Sequence, residues 1–339
     1  MEKIRFGKTG LMVSKAAFGG IPIMRLNKPE ASRLVRESLD MGINFIDTAT
    51  GYTDSEEKIG DAIKGLKRED IVIASKSPAS EKKVLLEHID LSLKRLGVEY
   101  IDIYQIHNAT ASDRRDKVFI PGGAMEGLEE AIKAGKIRHA GFSAHSVHIA
   151  IELMKTCKFA VVQLPFNYID DAAAAEAIPL AKELDIGFIA MKPMGGGLLY
   201  DAGLAFRYLM QFGNIVPDPG IENIEEIREI IEIINKNEAL SEEDRKEIEK
   251  QKVEFGPSWC HRCDYCSPCP QGIQISSALC AQSAFKRMDP DRARSFVGPS
   301  MEKALNCTEC RLCVSRCPYD LDIPALLKKQ RLFWDEITA

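Results

Sequence analysis

The chain has 339 residues, of which 28% are charged, and a formal net charge of −5. That length exceeds what one hydrophobic core usually serves, so a large domain with a smaller companion is expected. The weak negative charge with scattered Lys and Arg excludes a nucleic-acid footprint, and no apolar run approaches the ~20 residues of a membrane-spanning helix. The first residues, MEKIRFGKTG, contain no apolar signal core, so a cytoplasmic protein is expected.

In chain order, Ile4–Val13 reads as a short hairpin around Lys8-Thr9-Gly10, placed to seal the bottom of a barrel. Eight strand candidates follow: Phe18–Ile23, Ile43–Asp47, Ile71–Lys76, Ile101–His107, Ile137–Ser143, Phe159–Phe166, Ile186–Lys192 and Asn214–Pro217. Segments of helical period lie between them, including Pro29–Met41, Ser80–Leu96 and Ile224–Ile234, the last with isoleucines repeating at three and four residues. Eight βα units over residues 1–236 match a (β/α)8 TIM barrel. A doubly wound sheet is the alternative, but no G-x-G-x-x-G follows any strand, so a Rossmann nucleotide site has no fingerprint. Ser241–Glu254 reads as a charged helix opened by a capping box (Ser241, Asp244) and stopped by Gly256-Pro257, a linker over 237–256.

The remainder, 257–339, is marked by cysteine. Eight of the ten cysteines form two runs: Cys260, Cys263, Cys266, Cys269, Pro270 and Cys307, Cys310, Cys313, Cys317, Pro318. Three thiolates at i, i+3 and i+6 wrap one face of a four-iron cube, and the proline turns the fourth cysteine toward the other cluster. Two 4Fe–4S clusters are therefore expected, one on Cys260, Cys263, Cys266 and Cys317, the other on Cys307, Cys310, Cys313 and Cys269. A zinc ribbon needs only four ligands, and a disulfide framework needs an oxidising compartment. Cys157 and Cys280 read as packed or free thiols. Arg262, Arg311 and Arg316 lie beside ligands and read as solvated side chains rather than counter-charges.

Barrel active sites form at the carboxyl ends of the strands. Asp47, Lys76 and His107 close strands two, three and four, and Tyr52 follows Asp47 in the next loop. A lysine paired with a carboxylate beside a phenol is expected to lower the phenol's pKa and let it donate a proton near neutral pH. With these residues in view, the chain resembles the aldo-keto reductases. The resemblance rests on Phe45-Ile46-Asp47-Thr48-Ala49-Thr50-Gly51-Tyr52, Ile73-Ala74-Ser75-Lys76, Tyr104-Gln105-Ile106-His107-Asn108, Gly141-Phe142-Ser143 and Val162-Gln163-Leu164-Pro165-Phe166-Asn167-Tyr168. It covers roughly residues 1–236, and the cysteine-rich tail resembles the subgroup with a ferredoxin-like module. The resemblance implies Tyr52 as general acid, tuned by Lys76 and Asp47, with His107 orienting a small carbonyl or alcohol substrate. It also implies NAD(P)H, its carboxamide held by Ser143 and Gln163.

Departures from the family pattern bear on the cofactor. Ala144-His145 stands where an asparagine is usual, Met191, before Lys192, replaces a stacking tyrosine, and the loop around Gly220 carries Glu222, Glu225 and Glu226, which would repel a 2′-phosphate. The Gly195-Gly196-Gly197 and Asp218-Pro219-Gly220 turns are positioned for a phosphate, so a flavin is a further possible cofactor, converting between hydride and single-electron chemistry. The leading expectation is an oxidoreductase whose two clusters connect a ferredoxin-like carrier to the barrel site. Its rivals are a conventional nicotinamide-dependent reductase with structural clusters, and a non-enzymatic electron carrier or redox sensor.

Overall fold

The computed structural model describes residues 1–338; Ala339 and the side chains of Ser112 and Asp113 lie outside the description. β1 (Lys3–Arg5) and β2 (Met12–Ser14) pair antiparallel across a 3₁₀ turn at Gly7–Thr9. Eight strands follow: β3 (Phe18–Gly19), β4 (Phe45–Asp47), β5 (Val72–Ser77), β6 (Ile101–Ile106), β7 (Ile137–Ser143), β8 (Val161–Pro165), β9 (Gly187–Met191) and β10 (Ile215–Asp218). They are hydrogen-bonded in sequence order, all parallel. A bridge between Gly19 and Gly220 joins the two ends, with the Gly19 N–H donating to the Pro219 carbonyl at 2.8 Å. The expected (β/α)8 barrel is the fold. Its first strand is shorter than Phe18–Ile23 because Pro22 opens a 3₁₀ turn, Pro22–Arg25, that leads into the first helix.

Inside the barrel, Phe45, Val72, Ile103, Val161, Ile189 and Val216, one from each of six strands, meet Phe6 and Val13 of the hairpin in a buried apolar layer. This is the floor. It forms because β-branched and aromatic side chains alternate inward along parallel strands. The outer helices bury a second layer; Ile224–Lys236, for example, turns Ile227, Ile230 and Ile234 inward.

Helix Glu242–Phe255 begins at the Ser241/Asp244 capping box. Its Gln251 accepts from the Tyr168 hydroxyl at 2.6 Å, its Asp244 pairs with Arg207 at 2.7 Å, and Ile248 enters the barrel's outer core. The cysteine-rich segment then builds a core of its own from Ile273, Ala278, Val297, Met301, Leu321 and Ile323. It seats on the carboxyl end of the barrel. Trp259 is buried with the barrel's apolar residues, 6.0 Å from Phe255 ring to ring. Gly195, at φ +58°, admits it: a Cβ there would stand 2.3 Å from the indole. Polar contacts add to the seat, from Arg25 to the Lys286 carbonyl at 2.7 Å, Tyr265 to Ser146 at 3.0 Å and His261 to Asp170 at 2.6 Å. Among the described residues no helix is long and apolar enough to cross a membrane.

Candidate active site

Asp47 ends β4, Lys76 lies near the end of β5, and His107 follows β6 directly, so parallel strands in register bring all three to one rim. Both Asp47 and Lys76 are buried, and they form an ion pair. The Lys76 Nζ also donates to the Thr48 carbonyl at 2.8 Å and stands 5.0 Å from the centre of the Tyr52 ring. Burial works against the lysine's charge, but Asp47, with Tyr52 and Asp218, outweighs it and raises the pKa above the ordinary value. The His107 ring meets Tyr52 edge-on at 5.8 Å. Burial, reinforced by Lys76 and by Arg114, Arg262 and Arg292, pushes its imidazole well below the usual range. It is therefore neutral at pH 7 and carries one N–H for donation.

For Tyr52 the balance differs from the sequence-based expectation. Burial raises the phenol above its ordinary pKa, and the nearby Lys76 charge recovers only part of that shift. The lysine restrains the rise instead of bringing the phenol down to neutrality. At pH 7 the phenol is fully protonated, the form a proton donor requires.

Asp47 and Tyr52 face a cavity of about 130 Å³ that also meets Gln163, Met191, Lys192 and Gly220. Lys76 and His107 are not part of this lining, and both adjoin the Tyr52 ring. Ser143 is buried beside it, its hydroxyl oxygen accepting from the Asn108 N–H at 2.9 Å. The Gln163 amide donates to Asp218 at 3.1 Å, while its Oε1 is buried without a partner. That orphaned acceptor is what a carboxamide N–H of a nicotinamide needs, so the residues present fit such a ring. Lys192, at φ +58°, lies 3.0 Å from His145 Nε2, and burial with Arg262 nearby pushes its pKa down to about 7 despite Asp170.

Sequence reasoning missed several side chains at this rim. Asp218 ends β10 by the same rule that singled out Asp47. Burial first, then Asp47, raises its carboxyl well above the usual carboxylate range. Arg262 is not solvated: it lines the cavity, with its Nε buried and unpartnered and its guanidinium 5.8 Å from the Phe296 ring. Arg287, from the helix Ala281–Arg287, donates to the Gly220 carbonyl at 3.2 Å. No local signal marks it, since its partner is 67 residues away in another domain. Both glycine turns proposed for a flavin phosphate are met by this helix, Lys286 donating to the Gly197 carbonyl at 3.1 Å. The acidic loop is also less repulsive than expected, because Glu222 pairs with Arg25 at 3.2 Å and Glu226 caps the Glu222 N–H at 2.8 Å.

None of the ten cysteines is in a disulfide. Cys269 shares one small cavity with Cys307, Cys310 and Cys313, although 38 to 44 positions separate it from them in sequence. In the other set, Cys260, Cys263 and Cys266 influence one another's ionisation, and Cys317 acts on Cys263. Burial pushes the thiols of Cys260 and Cys266 up to about 12. Two groups of four soft sulfur donors suit iron–sulfur clusters, whose binding deprotonates the thiols outright. Cys280 is buried at the boundary between barrel cavity and cysteine domain, and Cys157 is exposed.

Comparison with known proteins agrees with this arrangement. Residues 15–203 match the aldo/keto reductase family and residues 259–322 a 4Fe–4S dicluster domain. The uncharacterized oxidoreductase YqkF of Bacillus subtilis is 31% identical over 218 residues, 60% of this chain and 68% of its own. The NADH-specific methylglyoxal reductase of Escherichia coli is 29% identical over 59% of this chain and 69% of its own. Among solved structures, the aldo-keto reductase AKR11C1 from Bacillus halodurans superposes with TM-score 0.63 at 25% identity, covering 74% of this chain and 96% of its own. An aldo/keto reductase from Klebsiella pneumoniae, solved with NADP and acetate, shares the fold at TM-score 0.63 and 21% identity, covering 74% of this chain and 95% of its own. A flavin finds no support among these relatives. The chain thus belongs to the aldo/keto reductase family and carries a 4Fe–4S dicluster domain after its barrel.

Proposed function

We propose that this oxidoreductase reduces a small carbonyl compound to its alcohol, with Tyr52 as proton donor and electrons drawn through the cluster domain from an external ferredoxin-like carrier. The observation that carries the reading is Tyr52 facing the cavity with the Asp47–Lys76 pair behind its ring and neutral His107 beside it. Reduction adds a hydride equivalent to the carbonyl carbon and a proton to its oxygen. Tyr52 O–H delivers the proton, with His107 packed edge-on against its ring. The charge left on the phenolate is met by Lys76, which Asp47 keeps protonated, so stabilisation appears where charge develops.

Gln163, with Ser143 and Met191, would hold a nicotinamide, and the eight cysteines in their crossed sets would hold two clusters. When bound, a nicotinamide supplies hydride and the clusters supply single electrons. A conventional nicotinamide reductase with structural clusters is the second reading, favoured by the orphaned Gln163 Oε1 and by the NADH-specific relative. Tyr52→Phe tests the chemistry common to both. A general acid contributes about 10²–10⁴-fold, so kcat should fall by that factor with ligand affinity nearly unchanged; a loss below tenfold would contradict the assignment.

A further inference from the structure

The cavity over Tyr52 has a roof from the cluster domain, and that roof is cationic. Arg262 and Arg287 both line it. Among the described residues neither arginine forms an ion pair; Arg287 reaches only the Gly220 carbonyl, and the Arg262 Nε is buried without a partner. Elsewhere the chain pairs such groups readily, as Arg25 does with Glu222 at 3.2 Å. The two carboxyls on the cavity wall offer no compensation. Asp47 is committed to Lys76, and Asp218 takes one hydrogen bond from Gln163 and pairs with neither arginine. Guanidinium groups lining a cavity without a protein carboxylate partner favour an anionic ligand there, Arg287 above all, since Arg262 also neighbours the cluster ligands Cys260 and Cys263.

Glycines let the arginine and the barrel rim pack closely here. A Cβ on Gly197 would stand 2.9 Å from the Arg287 Nε, and one on Gly220 would strike Pro22 at 2.9 Å. The cavity, about 130 Å³, is close to an engineered cavity of roughly 150 Å³ that takes benzene and below the roughly 300–1,000 Å³ of pockets for larger ligands. The space therefore suits a small molecule or one end of a larger one.

We propose that the cluster domain completes an anion subsite over the barrel, in which Arg262 and Arg287 take the carboxylate or phosphate of the molecule seated against Tyr52. The subsite's position rests on the carbonyl-reducing reading above. Its ligand is either a small carbonyl compound bearing an acid group, such as a 2-oxo acid, or the phosphates of a nicotinamide nucleotide. In both cases the domain that holds the clusters is part of the binding site, so undocking it removes ligand affinity even though the clusters stay bound.

The test is calorimetric titration of anaerobically purified full-length holoenzyme with pyruvate, inorganic pyrophosphate, NADH and 2,3-butanedione, the uncharged isostere of pyruvate. Arg262→Gln and Arg287→Gln are compared with wild type at equal cluster absorbance, with Arg262→Lys and Arg287→Lys as charge-preserving controls. Each glutamine variant should lose roughly tenfold in affinity for an anion, about 1.4 kcal/mol, leave butanedione unaffected, and be partly restored by lysine. Loss confined to pyruvate assigns the substrate's carboxylate; loss on pyrophosphate and NADH assigns the nucleotide. Unchanged anion affinities, equal losses for butanedione, or no anion binding to wild type would overturn the subsite. Tyr52→Phe separates the two claims: if it still reduces butanedione at full rate while the arginine variants lose anion affinity, the proton-donor assignment fails and the subsite stands.

Discussion

Trp259→Ala should detach the cluster domain from the barrel without emptying it. The indole is 6% exposed and packs among the barrel's outer-core residues beside Phe255 and over Gly195. Truncating a buried tryptophan costs about 3–5 kcal/mol. The polar seats at Arg25, Tyr265, His261 and Arg287 contribute about 0.5–1.5 kcal/mol each, so the one ring outweighs any two of them. At 1.36 kcal/mol per tenfold, the docked-to-undocked ratio should drop by about two to three and a half orders of magnitude. Since all eight cluster cysteines are retained, iron and sulfide content should stay level. Hydrogen exchange is the assay: amides of Gly195–Gly197 and of the helix Ala281–Arg287 should exchange faster, while those of the barrel floor around Phe45 and Val72 should not. Unchanged exchange at both docking segments would refute the reasoning.

Other outcomes follow from the same geometry. Because burial raises the Tyr52 phenol above its ordinary value of 10.0, it stays a competent acid at higher pH, so carbonyl reduction should hold level from about pH 8 to 9.5; an alkaline limb centred below 9 would mean that Lys76 dominates. Lys76→Met leaves Asp47 buried without its partner and should cost about 3–5 kcal/mol of folding stability, read from denaturant unfolding; a loss under about 1 kcal/mol, the ceiling for an exposed pair, would contradict the buried ion pair. Cys269→Ala should disturb the cluster on Cys307, Cys310 and Cys313 more than the one on Cys260, Cys263 and Cys266, read from the cluster signals in electron paramagnetic resonance. Damage confined to its sequence neighbours would rule out crossed ligation. Anaerobic protein should contain about eight iron and eight sulfide per chain.

Much of this was legible in the sequence because it depends on local pattern. Buried parallel strands read as β-branched runs, so all eight barrel strands fall inside or within a residue of their expected spans, although Pro22 cuts the first short. Asp47, Lys76 and His107 were visible as polar residues ending apolar strands, and the cysteine spacing named its own chemistry. What depends on burial and on docking was not legible. The direction of the Tyr52 shift is a contest between desolvation and a charge 5.0 Å from its ring, which no motif reports. Arg262 and Arg287 look like surface arginines until Trp259 seats their domain on the barrel. Asp218 was hidden in a turn whose glycine and prolines suggested a phosphate loop.

Whether the barrel and its clusters form one catalytic unit is decided by a single turnover without nicotinamide. Full-length protein is reduced anaerobically with dithionite, freed of excess reductant, and mixed with 2,3-butanedione. Two clusters giving one electron each supply the two electrons that one carbonyl needs, so about one acetoin per chain should form, with the cluster absorbance returning to its oxidised level. Persistently reduced clusters and no acetoin, in protein that turns over butanedione when given NADH, would contradict the account.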